Sequence, residues 1–186
     1  MRNPNFFDKY EQISSTDEFY GKFNPKIEKQ CKFCGTTSDE NTFNNEPHIM
    51  SELFGKNNYT SNDECDICND KFGKYENDLA TYISPYQTLI GQKTKNKVPN
   101  FQSRKKKYEK STVMGRKDNI LNINFRDNLS DFKYDYDNKT IKIKFRKKPF
   151  RPIYVYKGLV KIGLSLMPLK ELKHFQKAIE WLFKDD

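Results

Sequence analysis

Tryptophan and histidine are nearly absent from this chain: one Trp and two His in 186 residues. Imidazole chemistry therefore has two places to reside, His48 or His174. No segment approaches the length and apolarity of a membrane-spanning helix. The N-terminus shows no basic stretch leading into an apolar run, so no secretory signal is expected. These absences point to a soluble, cytoplasmic protein with no membrane partner. Aliphatic side chains are sparse too, and 15 Phe and 11 Tyr must supply much of the core.

What the chain has in excess is positive charge, in one half only. The formal net charge is +9. Residues 1–92 carry 9 Lys/Arg against 15 Asp/Glu, whereas residues 93–157 carry 20 against 6. Such local excess exceeds what a mixed, solvated surface needs, and phosphate backbones are its commonest target. A basic surface kept only for solubility is the competing explanation.

The four cysteines form two pairs, Cys31-x-x-Cys34 and Cys65-x-x-Cys68. Each short turn can present two thiolates to one tetrahedral ion, and Gly35 suits the tight backbone of such a knuckle. Disulfides do not fit a chain without a secretory signal. A redox Cys-x-x-Cys needs only one pair and a thioredoxin-like strand and helix, which this sequence lacks. Structural zinc is the expectation. Four thiolates leave no open coordination position, so this ion should fold the domain and not take part in catalysis.

Between and after the pairs runs a denser pattern. Phe72, Tyr75, Leu79 and Tyr82 or Ile83 recur at helical spacing and predict a helix from about Asn69 to about Ile83. Before it, Asn44-Asn45 and Asn57-Asn58 mark turns or strand ends. The segments Glu46-x-His48-Ile-x-x-Glu52-Leu-x-Gly55 and Glu64-Cys-Asp-x-Cys-Asn69-x-x-Phe72-Gly-x-Tyr75-Glu76-x-x-Leu79 resemble the HNH endonucleases. The branch they are most similar to has four cysteines and is common in bacterial genomes, often in defence against phage and mobile DNA. Tyr156–Ser165 also looks like a segment that follows this domain in relatives. The resemblance implies a ββα-metal core, two strands and a helix around one catalytic divalent ion.

It further implies roles for particular residues. His48 takes the first HNH position, the general base, for which an imidazole titrating at about pH 6.5 is suited. Asn69 takes the last, a ligand whose neutral oxygen suits Mg²⁺ or Mn²⁺. Asn69 is equally suited to cap the helix. Many HNH sites place Asp or His directly before the base, but in this chain that residue is Pro47, which has no ligand atom. The remaining ligand falls to Glu46, which shares a strand face with His48, to Glu76, two turns beyond Asn69, or to water. For the middle position, which braces the base-bearing loop, Asn62 is the choice and Asn58 competes.

The second half adds Lys93–Lys97, Arg104–Lys107 and Arg116-Lys117 as basic clusters, interleaved with Phe101 and Tyr108. Basic clusters of this kind grip phosphates without reading bases. Phe132–Tyr136, Asp137-Asn138 and Lys139–Phe145 read as a hairpin with one apolar and one cationic face. That cationic face can lie along a duplex, or merely protect an edge strand. Leu159, Ile162, Leu166 and Leu169, then Leu172, Phe175, Ile179 and Leu182, predict two amphipathic helices separated at Pro168 and packed on the hairpin. His174 falls on the second and reads as a surface residue.

The expected fold is α+β: a ββα-metal HNH core stapled by a four-cysteine zinc site, followed by a basic β-hairpin and C-terminal helices. The expected division is a zinc-bound nuclease domain with an N-terminal extension over 1–92, and a nucleic-acid clamp over 93–186. Expected partners are DNA, with RNA as a further possibility, and a further domain or protein. The function implied is metal-dependent DNA hydrolysis; the alternative is a noncatalytic zinc-ribbon module that binds nucleic acid.

Overall fold

The computed structural model describes residues 11–12, 29–38, 40, 42–103, 113–117, 120–124, 132–144 and 146–184. The chain is of mixed helix and sheet and divides into two compact units. The first holds the described residues of Met1–Ser51, Asn57–Tyr75 and Tyr156–Asp186; the second holds those of Glu52–Lys56 and Glu76–Val155. The C-terminal helices group with the cysteine pairs in the first unit, and the hairpin lies in the second.

In the first unit, Cys31–Thr36 forms a tight turn. The Cys31 N–H donates to the Thr36 carbonyl and the Gly35 N–H to the Cys31 carbonyl, both at 2.8 Å. Gly35 has φ +78°, a conformation that side chains with a Cβ resist. The Lys32 N–H donates to the Asp63 carbonyl at 2.8 Å, tying this turn to the approach of the second cysteine pair. Two extended segments then meet antiparallel, with His48 opposite Thr60. The Ile49 N–H donates to the Tyr59 carbonyl at 2.9 Å and the Ser61 N–H to the Pro47 carbonyl at 3.0 Å.

Helix α1 follows, Asp66–Ile90, and it is longer than expected at both ends. Its start is fixed by Asp66, whose carboxylate accepts the N–H groups of Asn44 and Asn45 at 3.1 and 2.9 Å. A carboxylate in the first turn also suits the positive end of the helix dipole. Pro85 lies inside the helix and lacks the N–H that the Thr81 carbonyl awaits; the Ser84 hydroxyl donates there at 3.4 Å. Phe72 and Tyr75 are fully buried, as their spacing predicts. The Phe72 ring meets Phe33 edge-on at 4.9 Å and Phe183 at 5.6 Å, while the Tyr75 hydroxyl donates to the Leu182 carbonyl.

The C-terminal helices of this unit are α2 (Pro152–Leu166), whose first turn belongs to the second unit, α3 (Leu169–Leu172) and α4 (Gln176–Phe183). A single turn of 3-10 helix, Lys173–Phe175, separates the last two. Leu172, Ile179 and Leu182 are buried as expected, and His174 is exposed. The buried face of α2 is not the leucine stripe. Leu159 is 49% exposed, and the inward residues include Lys157 and Lys161 beside Leu164 and Ser165. The reason is polar: buried carbonyl and carboxylate oxygens need donors, and these two lysines provide them.

The second unit contains the later part of α1, a 3-10 turn at Glu52–Phe54, and two small sheets. A three-stranded antiparallel sheet, which the sequence pattern did not lead one to expect, pairs β1 (Phe101–Gln102), β2 (Val113–Lys117) and β3 (Ile120–Asn124) in that order. Phe101 opposes Met114, and both are buried. The expected hairpin is present as β4 (Phe132–Asp135) and β5 (Thr140–Ile143). Asp135 closes its turn by accepting both the N–H and the side-chain amide of Asn138 at 3.0 Å. Arg104–Lys107, Tyr108 and Phe145 lie outside the described residues.

Candidate metal centre and the histidine strand

The four cysteine sulfurs all lie within 4.8 Å of one another, and Cys34 Sγ is 3.7 Å from Cys65 Sγ. Zinc–thiolate bonds of about 2.3 Å in a tetrahedron put sulfurs about 3.8 Å apart, so the quartet has the spacing to hold one metal ion such as zinc. Cys31, Cys65 and Cys68 are buried, and Cys34 is exposed. The thiols already perturb one another. The hydrogen bond from the Cys68 thiol, against burial and with help from nearby backbone N–H groups, draws Cys31 down to about 5. Burial pushes Cys65 up to about 11. Cys68 is also raised, first by its hydrogen bond to Cys31 and then by burial. Thiolates held this close without a cation must share protons; a divalent ion relieves that constraint.

Beside the quartet lies a buried ionic link. Lys161 Nζ sits 3.1 Å from a Glu64 carboxylate oxygen. The same ammonium donates to the His48 carbonyl at 3.1 Å. A second link joins Lys32 Nζ to Asp63 at 3.1 Å and to the Ser165 carbonyl at 2.9 Å. Lys157 Nζ donates to the Lys184 carbonyl at 2.6 Å and lies over the Tyr75 and Trp181 rings. Lys161 thus fixes the backbone at His48 and the residue before Cys65 through one side chain.

His48 is half-buried, and its Nδ1 is sealed from solvent with no hydrogen-bond partner among the described residues. Thr60 Oγ1, from the residue opposite, is in the same condition. Asn69 is half-buried in the first turn of α1, and its N–H donates to the Cys65 carbonyl at 3.0 Å. It is therefore not the cap of this helix, because Cys65 occupies that position and the helix begins earlier than the apolar spacing suggests. Asn62 is half-buried in the bend after Ser61, and Asn58 is exposed. Glu46 is exposed, Pro47 is buried, and Glu76 is half-buried on α1. Among the described residues, the cysteine quartet is the one group of three or more Cys, His, Asp or Glu able to hold a metal, so Glu46, His48 and Glu76 do not gather into another.

Sequence reasoning missed Glu64, Lys157 and Lys161. The two lysines are four residues apart on an otherwise apolar helix, which is a legible signal. Their partners are distant in sequence, so the pairing is not. Among the described residues, no helix is long and apolar enough to cross a membrane. Comparison with family models, curated proteins and solved structures finds no match to this chain.

Proposed function

We infer that the chain is a metal-dependent endonuclease of the HNH type, stapled by structural zinc at Cys31, Cys34, Cys65 and Cys68 and acting on DNA. The observation that carries this reading is His48: one of two histidines, on an extended segment paired to a second, just ahead of the helix that carries Asn69. Its backbone is held by a buried ammonium while its Nδ1 finds no partner among the described residues. Buried polar atoms are nearly always satisfied, and a catalytic role is one of the explanations for an exception.

In the reaction, His48 accepts a proton from the attacking water as that water's oxygen bonds to phosphorus. The bond from phosphorus to the 3′ oxygen breaks, and its electron pair leaves with that oxygen. Asn69, with Glu46, Glu76 or water completing the shell, would hold a Mg²⁺ or Mn²⁺ ion, which would supply neutralising charge for the phosphate and the leaving oxygen. Asn62 braces the base-bearing loop, and Lys161 holds its backbone. The basic second unit supplies non-specific grip on the phosphate backbone. A bacterial defence role rests on the family resemblance alone.

The second reading, a noncatalytic zinc-ribbon module that binds nucleic acid, is favoured by Pro47, which offers no ligand atom next to His48. Plasmid incubated with purified protein separates the two. Nicking that requires Mg²⁺ or Mn²⁺ and stops with chelator supports the endonuclease. Binding without nicking, by zinc-loaded protein, supports the module.

A further inference from the structure

In the second unit, helix α1 ends at Gly91, which has φ +78°. The N–H groups of Gly91 and Gln92 both donate to the Gln87 carbonyl at 2.9 Å, a glycine-dependent helix stop. Beyond it the chain loops through 92–98, closed where the Thr94 N–H and hydroxyl donate to the Lys97 carbonyl at 3.1 and 3.0 Å. This loop borders a cavity of about 480 Å³, lined by Gly91, Lys93, Asn96, Lys97, Asn100 and Arg116 among others. Among the described lining side chains, three are cationic, two are carboxamides and none is acidic. Lys95, from the same loop, is instead paired with Glu52 at 3.0 Å.

Two glycines make room for the polar walls. A Cβ on Gly91 would meet Arg116 Nη1 at 2.9 Å, and one on Gly115 would meet Asn100 Oδ1 at 2.8 Å. The guanidinium also donates from Nη2 to the Leu89 carbonyl at 3.1 Å, which fixes it over the negative end of α1. Arg116 is therefore seated before any ligand arrives, and the two lysines add charge at flexible reach.

We propose that this cavity binds a phosphate monoester, carried by a free nucleotide or by the end of a nucleic-acid strand. Three cations, with no acid among the described lining residues, match an anion of more than one charge. A terminal phosphate carries about −1.5 to −2 at neutral pH, whereas each backbone diester carries about −1. The volume lies in the range of small-ligand sites, about 300–1,000 Å³, so the attached nucleoside fits as well. Asn96 and Asn100 offer donors and acceptors to its sugar or base. The inference is independent of whether the protein cleaves DNA.

The test is calorimetric titration of the full-length, zinc-loaded protein in buffer free of magnesium and manganese. The probes are adenosine 5′-monophosphate against adenosine, and a short single-stranded oligonucleotide with a 5′ phosphate against the same strand with a 5′ hydroxyl. At least one phosphorylated probe should bind about tenfold more tightly than its control, a difference of about 1.4 kcal/mol. Preference within the nucleotide pair identifies a free nucleotide as ligand; preference confined to the strand pair identifies a strand end. Lys93→Gln with Lys97→Gln, both on the exposed loop, should abolish the preference. Gly91→Ala, which displaces Arg116, should do the same with the fold checked by circular dichroism. Equal affinity within both pairs, or a preference that survives the double lysine variant, overturns the proposal.

Discussion

Lys161 and Glu64 form an ion pair at 3.1 Å in which the side chains are only 2% and 1% exposed. Taking two charges out of water costs more than a surface pair can return, so the pair persists through geometry and added hydrogen bonds. The added bond on the lysine side goes to the His48 carbonyl. The pair therefore joins three things: α2, the His48 segment and the approach to the second cysteine pair.

Removing one partner leaves the other charged and buried. Lys161→Met should destabilise the protein by about 3–5 kcal/mol, and Glu64→Leu by a similar amount. The double variant should recover a large part of either loss, because no buried charge remains. Denaturant unfolding of all four proteins measures this. Additive losses in the double variant would show that the pair is not the shared cause.

The metal site makes its own prediction. With zinc held by the quartet, Cys31→Ser should lower the zinc content, measurable by elemental analysis, and the melting temperature, because metal binding in such sites is folding free energy. Unchanged zinc content would mean that the quartet is not the site.

The sign of the pH effect follows from the thiols. Cys65 and Cys68 hold their protons more tightly than ordinary cysteines, so at neutral pH zinc must displace them. Zinc affinity should accordingly rise with pH and weaken on acidification, by about tenfold per pH unit for each proton displaced. Competition with a chromogenic chelator across about pH 6–8 reads the slope directly. A flat profile would mean that Cys65 and Cys68 are already deprotonated at neutral pH.

In the hairpin, Lys133 directly opposes Lys142, and both are exposed. Like charges so placed repel. Lys142→Glu should stabilise the protein by about 0.2–1 kcal/mol at low salt. It should also weaken binding to duplex DNA and reduce the slope of affinity against salt. Tighter DNA binding by the variant would remove the hairpin from the clamp.

Parts of this arrangement are legible in the chain itself. The cysteine spacing announces a single cluster because two equal turns can converge on one centre. Phe72, Tyr75 and Leu79 announce the buried face of α1 because nothing else about them suits solvent. Leu121 and Ile123 alternate with Asn122 and Asn124 in β3, but the run is short and its partner β2 carries Gly115, Arg116 and Lys117, so local pattern does not announce this sheet. The α2 face is the instructive miss. Leu159 is apolar and exposed while Lys157 and Lys161 are buried, an inversion that makes sense only once Glu64 and two backbone carbonyls, of His48 and Lys184, are known to need donors. Pairings between residues so far apart in sequence are set by the tertiary fold, not by local pattern.

The most direct measurement of the central claim is supercoiled-plasmid nicking by wild-type protein and His48→Ala, side by side in Mn²⁺ and at equal zinc content. With His48 as the base, the wild type should nick in a metal-dependent way and the variant should lose at least about 100-fold, the scale of a general base. Equal nicking by the two proteins would contradict that role.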